Sequence, residues 1–252
     1  MIGVLFFLLG LVIGSFLNVC IYRIPHHISI IRPASFCPIC KNSIKFYDNI
    51  PIISYLLLKG KCRYCGNSIP LYYPIVELIT GVLSLVLFLK YGFTAKYIIY
   101  FLFICSLIIL SIIDIHQQII PDIITIPGII MSLLILIFDS NISRTIINII
   151  EGIFIGGGSL FLVAGTYYLI TGKEGMGGGD IKLMAMIGAW LGPRSIFPVI
   201  MIASISGIIV GIILMLKTKA KKGTPIPFGP FLSFGAVFYL IFPYLIPSFL
   251  IF

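Results

Sequence analysis

The sequence predicts an all-α polytopic membrane protein of about eight transmembrane helices with one small polar insert. Three observations carry that reading. Of 252 residues, 60% are hydrophobic and 10% charged, with a mean hydropathy of +1.17. A soluble domain this apolar has too few polar side chains to cover its surface, so lipid is its main solvent. Apolar stretches recur at 1–22, 74–90, 97–113, 123–138, 147–170, 182–192, 196–216 and 226–252. Most approach the roughly 20 residues that cross a bilayer as helix. The third observation is charge placement: lysine and arginine collect in a few loops between those stretches.

The first stretch, Met1 to Cys20, has no basic segment ahead of it and is longer than the apolar core of a signal peptide. It is read as a retained first span, 1–22. Residues 23–73 form the insert, and 74–252 the remaining membrane core. The stretch at 182–192 is short and is expected to cross only partly. Gly10-x3-Gly14 and Gly207-x3-Gly211 are small-residue pairs that would let helices approach closely.

Loop charge sets orientation. Arg23, Arg32, Lys41, Lys45, Lys59, Lys61 and Arg63 lie in the insert, Lys173 and Lys182 follow the fifth stretch, and Lys217, Lys219, Lys221 and Lys222 follow the seventh. The opposite side keeps Lys90, Lys96, Arg144 and Arg194. Thirteen against four places the basic side in the cytoplasm. The net charge of +9 therefore reads as a topology signal with some attraction to anionic lipid, not as a nucleic-acid surface.

An insert of about fifty residues buries too little apolar surface to fold without a staple. Cys37-Pro-Ile-Cys40 and Cys62-Arg-Tyr-Cys65 supply one. Two Cys-x-x-Cys pairs suit a tetrahedral zinc site built from two tight turns. In a reducing cytoplasm zinc is favoured over disulfides. Four thiolates leave no open position on the metal, so its role is structural. Cys20 and Cys105 fall in apolar stretches and read as packing residues.

Two aspartates border the apolar stretches. Asp114 ends the stretch that begins at 97, and Asp180 follows Gly177-Gly178-Gly179. Charge at a membrane border is costly and calls for a reason. Two carboxylates that meet at one depth can share a proton, activate water and protonate a leaving amine. The plainer alternative makes Asp180 a helix cap in a border loop. The glycines are expected to give backbone angles closed to other residues and to admit a second backbone. Asp122, after Pro121, is expected to start the next helix or to touch substrate. Lys182 is expected to meet lipid phosphate or an acidic group of the substrate. Glu77 needs a partner, with Arg23 or another basic residue of the insert as candidates, or it contacts substrate. Asn18 shares a helix face with Gly14 and Ser15 and either packs or meets the insert or the active site. His116 reads as interfacial.

These segments jointly resemble one family. Gly177-Gly178-Gly179-Asp180 fits the Gly-x-Gly-Asp signature of the membrane aspartyl proteases. Residues 171–183 and the run Asp114-Ile-His-Gln-Gln-Ile-Ile-Pro-Asp122 resemble the type IV prepilin peptidase (leader peptidase/N-methyltransferase) branch. Gly14-Ser-Phe-Leu-Asn-Val19, Pro33-Ala-Ser-Phe-Cys37, Asn49-Ile-Pro-Ile-Ile-Ser-Tyr55 and Tyr73-Pro-Ile-Val-Glu77 are similar to its first span and cytoplasmic domain. The resemblance runs from about 10 to 235. It implies Asp114 and Asp180 as catalytic pair and Cys37, Cys40, Cys62 and Cys65 as zinc ligands. Gly177, Gly179, Lys182 and Asp122 are placed as support for substrate or active site. It implies cleavage of prepilin or pseudopilin leaders after their terminal glycine, at the cytoplasmic face of a bacterial inner membrane. N-methylation of the new N-terminus by S-adenosylmethionine is implied by the resemblance alone. No binding motif for that donor is visible, since Gly156-Gly157-Gly158 lies inside an apolar stretch. Contact with that donor is the remaining alternative for Glu77. Expected partners are the pilin substrates and membrane lipid, without nucleic acid. A peptidase lacking methyl transfer, and a membrane scaffold or transporter, are the rival readings.

Overall fold

The structure is a computed structural model describing residues 2–139, 141–173, 175–218 and 226–245. Of the basic loop 217–225, residues 219–225 lie outside the described residues. In chain order the helices are α1 (Ile2–Arg23), α2 (Ile53–Leu57), α3 (Tyr72–Tyr91), α4 (Ala95–Gln117), α5 (Asp122–Met131), α6 (Ile142–Thr171), α7 (Gly178–Leu191), α8 (Ile196–Thr218) and α9 (Gly229–Ile241). The described residues contain no strand, only isolated bridges from Phe36 to Ser43 and from Lys61 to Ser68. The protein is an all-α polytopic membrane protein carrying a four-cysteine insert.

All eight apolar stretches carry a helix. Five are long and apolar enough to span a membrane: α1, α3, α4, α6 and α8. The other three are shorter. At 1.5 Å per residue, the 14 residues of α7 reach about 21 Å, short of the roughly 30 Å hydrocarbon core. Local chemistry fixes several ends. Asn141 caps α6 by accepting the Arg144 N–H at 3.1 Å. Gly92 and Gly172 close α3 and α6 at φ 63° and 67°, a region open to glycine and costly for other residues.

The chain divides into two compact units, residues 1–109 and 110–252. In the first, α1 and α3 pack backbone to backbone. A Cβ at Gly10 would lie 2.7 Å from Gly81 Cα, and one at Gly14 would lie 2.7 Å from Glu77 Cα. The Gly10-x3-Gly14 pair thus does what its spacing predicts. Ser84 adds polar ties, donating to the Phe6 carbonyl at 2.7 Å and bonding the Tyr97 hydroxyl at 2.8 Å. Phe6 stacks on Phe88 with centroids 4.0 Å apart.

The second unit is built around α7. Every residue from Leu183 to Trp190 is buried, which explains a helix apolar on all sides. Its closest neighbour is α6, where Gly152 faces the Gly188 backbone and Gly156 the Met184 carbonyl. Trp190 Nε1 donates to the Gly128 carbonyl of α5 at 2.8 Å. Among the described residues the Gly207-x3-Gly211 pair makes no such approach: its nearest contacts are 3.5 Å, to side chains of Phe231 and Ile226.

Candidate active site and metal centre

Asp114 sits in the last turn of α4 and is buried. Its Oδ2 accepts the Gly229 N–H at 3.0 Å. Gly229 is the first residue of α9, where backbone N–H groups lack helical partners and favour an anion. The fit leaves no room for a side chain, because a Cβ there would lie 2.6 Å from Asp114 Oδ2. Ile120 links this corner to the second aspartate. Its Cδ1 lies 3.3 Å from the Cβ position of Gly229, and its own Cβ lies 2.9 Å from that of Gly179. Asp180 follows directly, half-buried in the first turn of α7. Ile120 thus borders both the Gly229 corner that holds Asp114 and the Gly179 position just before Asp180. Two carboxyls held so, on different helices and largely out of water, have the makings of an acid–base pair.

The glycine run works differently from the expectation. None of Gly177, Gly178 and Gly179 adopts positive φ. Gly177 is extended at φ −73°, ψ 144° and precedes the helix, while Gly178 and Gly179 are helical. Only Gly179 is needed for space, and what approaches it is the Ile120 side chain rather than a backbone. Lys182 also departs from expectation: its Nζ grips both carboxylate oxygens of Asp122, at 2.7 and 2.8 Å. Asp122 does open α5, in the first turn, where the helix dipole favours a carboxylate, but it makes no side-chain cap. The pair ties α5 to α7 near Asp180, on an exposed face. His116 is exposed, its Nδ1 bonded to the Ile112 carbonyl at 2.8 Å.

In the insert, the Sγ atoms of Cys37, Cys40, Cys62 and Cys65 all lie within 4.8 Å of one another, a group able to hold a metal ion. Two copies of one turn build it. Cys37-x-x-Cys40-x-Asn42-Ser43-Ile44 and Cys62-x-x-Cys65-x-Asn67-Ser68-Ile69 match position by position. In each, the first cysteine N–H donates to the asparagine carbonyl, at 2.9 and 2.8 Å. Lys41 and Gly66, equivalent in the two turns, take φ 59° and 70°. Hydrogen bonds from Asn67, its backbone N–H first, pull the Cys65 thiol down. Against the Asn42 backbone N–H, desolvation and the neighbouring thiols push Cys40 up, as expected of thiols crowded into one group. Arg63 clamps Asp48 through Nε and Nη2 and holds that carboxyl below its usual range. Arg23 is buried and donates to the carbonyls of Ser29 and Ala34 at 2.8 and 3.2 Å, so it is not the partner of Glu77. Glu77 Oε2 instead accepts the Ile52 N–H at 2.7 Å, and Ser15 adds a second bond. Asn18 donates to the Tyr73 carbonyl at 3.0 Å. Cys20 and Cys105 are buried packing residues.

Sequence reasoning missed Gly229, whose role depends on a backbone N–H 115 positions from Asp114. It also missed the repeated turn, although the recurrence of Asn-Ser-Ile after each cysteine pair was legible.

Residues 8–91 match the bacterial peptidase A24 N-terminal domain, and residues 101–212 match the type IV leader peptidase family. A protein of Stutzerimonas stutzeri named prepilin leader peptidase/N-methyltransferase is 36% identical, over 89% of this chain and 85% of its own length. Proteins of the same name from Pseudomonas aeruginosa and Neisseria gonorrhoeae are also 36% identical, over 90% and 89% of this chain and 85% of their own lengths. No solved structure matches.

Proposed function

This chain belongs to the type IV leader peptidase family, and from that premise we propose that it removes the leader from prepilin-type substrates with Asp114 and Asp180 as its catalytic pair. The observation that supports this is the shared neighbour Ile120, which packs against Gly229, the backbone partner of Asp114 at the start of α9, and against Gly179, the residue before Asp180 at the start of α7. With one proton between them, one carboxylate takes a proton from water while the other hydrogen-bonds the scissile carbonyl oxygen. The hydroxide adds to the carbonyl carbon as the carbonyl oxygen takes the proton of the protonated carboxyl, giving a tetrahedral diol. The carboxyl that received the water proton then passes it to the amide nitrogen, one diol hydroxyl returns its proton to the other carboxylate, and the C–N bond breaks. The products are a leader carboxylate and a new N-terminal amine. Gly177, Gly179, Asp122 and Lys182 support the pair by shaping the start of α7 and tying it to α5.

The substrate enters laterally, with its apolar helix in the bilayer and its basic leader in the cytosol. The thirteen basic residues on one side support a cytoplasmic active site in a bacterial inner membrane. The four cysteines hold a structural zinc that staples residues 23–73. The second activity carried by the relatives' name is N-methylation, for which S-adenosylmethionine is the proposed donor. When bound it supplies a methyl group to the new amine: the nitrogen lone pair takes the carbon, the C–S electrons stay on sulfur, and the amine releases one proton.

Purified protein in lipid vesicles, incubated with a prepilin and labelled S-adenosylmethionine, tests both activities. The expected product has lost its leader and carries one labelled methyl. Cleavage without label would remove the transferase, and an intact prepilin would remove both activities.

A further inference from the structure

The first unit contains a cavity of about 390 Å³ walled by α1, α3 and the insert, Cys37 and Cys62 of the cysteine turns among its lining. That volume suits a ligand of nucleoside size, in the roughly 300–1,000 Å³ range of small-molecule pockets, and far exceeds the space of a lone ammonium group. Its lining is chiefly apolar and includes four tyrosines, Tyr22, Tyr55, Tyr72 and Tyr73. Two of its buried polar groups, Asn18 and Glu77, offer acceptors. Asn18 is 3% exposed, and its Oδ1 accepts no hydrogen bond. A buried amide oxygen left so is costly, and a ligand donor would relieve it. Glu77 is 8% exposed, and no cation among the described residues pairs with it. Its carboxylate has about four acceptor positions, of which the protein fills two, from Ile52 and Ser15. A buried carboxylate without a cation asks for one from outside. The basic side chains of the wall are already engaged, Arg23 by backbone carbonyls and Arg63 by Asp48.

Buried acceptors, aromatic side chains and nucleoside-sized space together describe a ligand that is both cationic and aromatic. We infer that this cavity is the binding site for S-adenosylmethionine, its positive groups met by Asn18 and Glu77 and its adenine by the tyrosines. This rests on the reading that the chain transfers a methyl group. The other cation of the reaction, the amine of the cleaved pilin, shares the charge but lacks a heteroaromatic ring to occupy the tyrosine-lined volume.

The test is equilibrium binding of tritiated S-adenosylmethionine to the full chain in nanodiscs, with ultraviolet crosslinking and peptide mapping of the unaltered protein. Label is expected in peptides containing Tyr22, Tyr55 or Tyr72. Asn18→Leu and Glu77→Gln should each weaken binding roughly tenfold or more. Label confined to residues 110–252 would overturn the site whatever the variants do, because mapping does not depend on their folding. A mature pilin peptide that displaces the donor and crosslinks to the same tyrosines would assign the cavity to the amine instead. If the unaltered protein binds no donor at all, the methyl-transfer reading falls and takes the site with it. Binding that maps elsewhere removes the site alone.

Discussion

Gly229→Ala tests the active-site geometry without removing either carboxyl. Gly229 has no positive φ, so alanine is acceptable to the backbone. Its methyl would lie 2.6 Å from Asp114 Oδ2 and 3.3 Å from both Asp114 Cγ and Ile120 Cδ1. Ordinary contact begins near 3.4 Å, so the carboxylate must retreat by most of an ångström, stretching the 3.0 Å hydrogen bond from the Gly229 N–H. A bond from a neutral donor to a charged group contributes about 1.5–3 kcal/mol. Misplacing a reacting group by about 1 Å costs on the order of 100-fold in rate, about 2.7 kcal/mol. The two estimates agree, and the variant should cleave prepilin roughly 100-fold more slowly than the unaltered protein. Overpacking of about 1–3 kcal/mol is the accompanying stability cost. The assay is single-turnover leader cleavage in proteoliposomes, with thermal unfolding measured in parallel. Wild-type cleavage by a folded Gly229→Ala protein would refute the claim that this N–H positions Asp114.

The remaining predictions concern the glycine run, the surface ion pair and the metal. Gly178 has nothing within 4 Å of its Cβ position, whereas Gly179 meets Ile120 at 2.9 Å. Gly179→Ala should therefore slow cleavage and lower the unfolding temperature, and Gly178→Ala should do neither; equal effects would show that the approach of Ile120 is not what selects glycine. The pair between Asp122 and Lys182 is exposed, so a double-mutant cycle on stability should return about 0.2–1 kcal/mol of coupling. A larger coupling in cleavage rate than in stability would show that the pair acts on the substrate. Metal analysis should find about one zinc per chain, lost in Cys37→Ser with Cys40→Ser. Proteolysis should then cut residues 23–73 before the membrane helices; an intact insert without metal would contradict the staple.

What could be read from the sequence was whatever repeats along the chain or stands close together in it. Hydropathy located the helices of the membrane core because each must satisfy its own backbone in lipid, whereas the short α2 of the insert was not located. The Cys-x-x-Cys pairs and Gly10-x3-Gly14 were legible for the same reason, since their function is set by short spacing. The structure adds contacts between distant backbones. Gly229 reaches Asp114, Ile52 reaches Glu77, and Gly152 faces Gly188, each through main-chain atoms that carry no residue-specific signal. The expectation that Arg23 pairs with Glu77 followed from charge alone and failed because backbone carbonyls occupy the guanidinium. Lys182 was likewise expected to meet lipid phosphate or an acidic group of the substrate, but Asp122 lies within reach.

The central claim is that Asp114 and Asp180 act as one catalytic unit. Asp114→Asn and Asp180→Asn, each purified and shown to be folded and membrane-inserted, provide the direct measurement when assayed for prepilin cleavage. The account predicts that each single substitution abolishes cleavage and that the double variant is no worse than either. Normal processing by a folded protein lacking either carboxylate would contradict it.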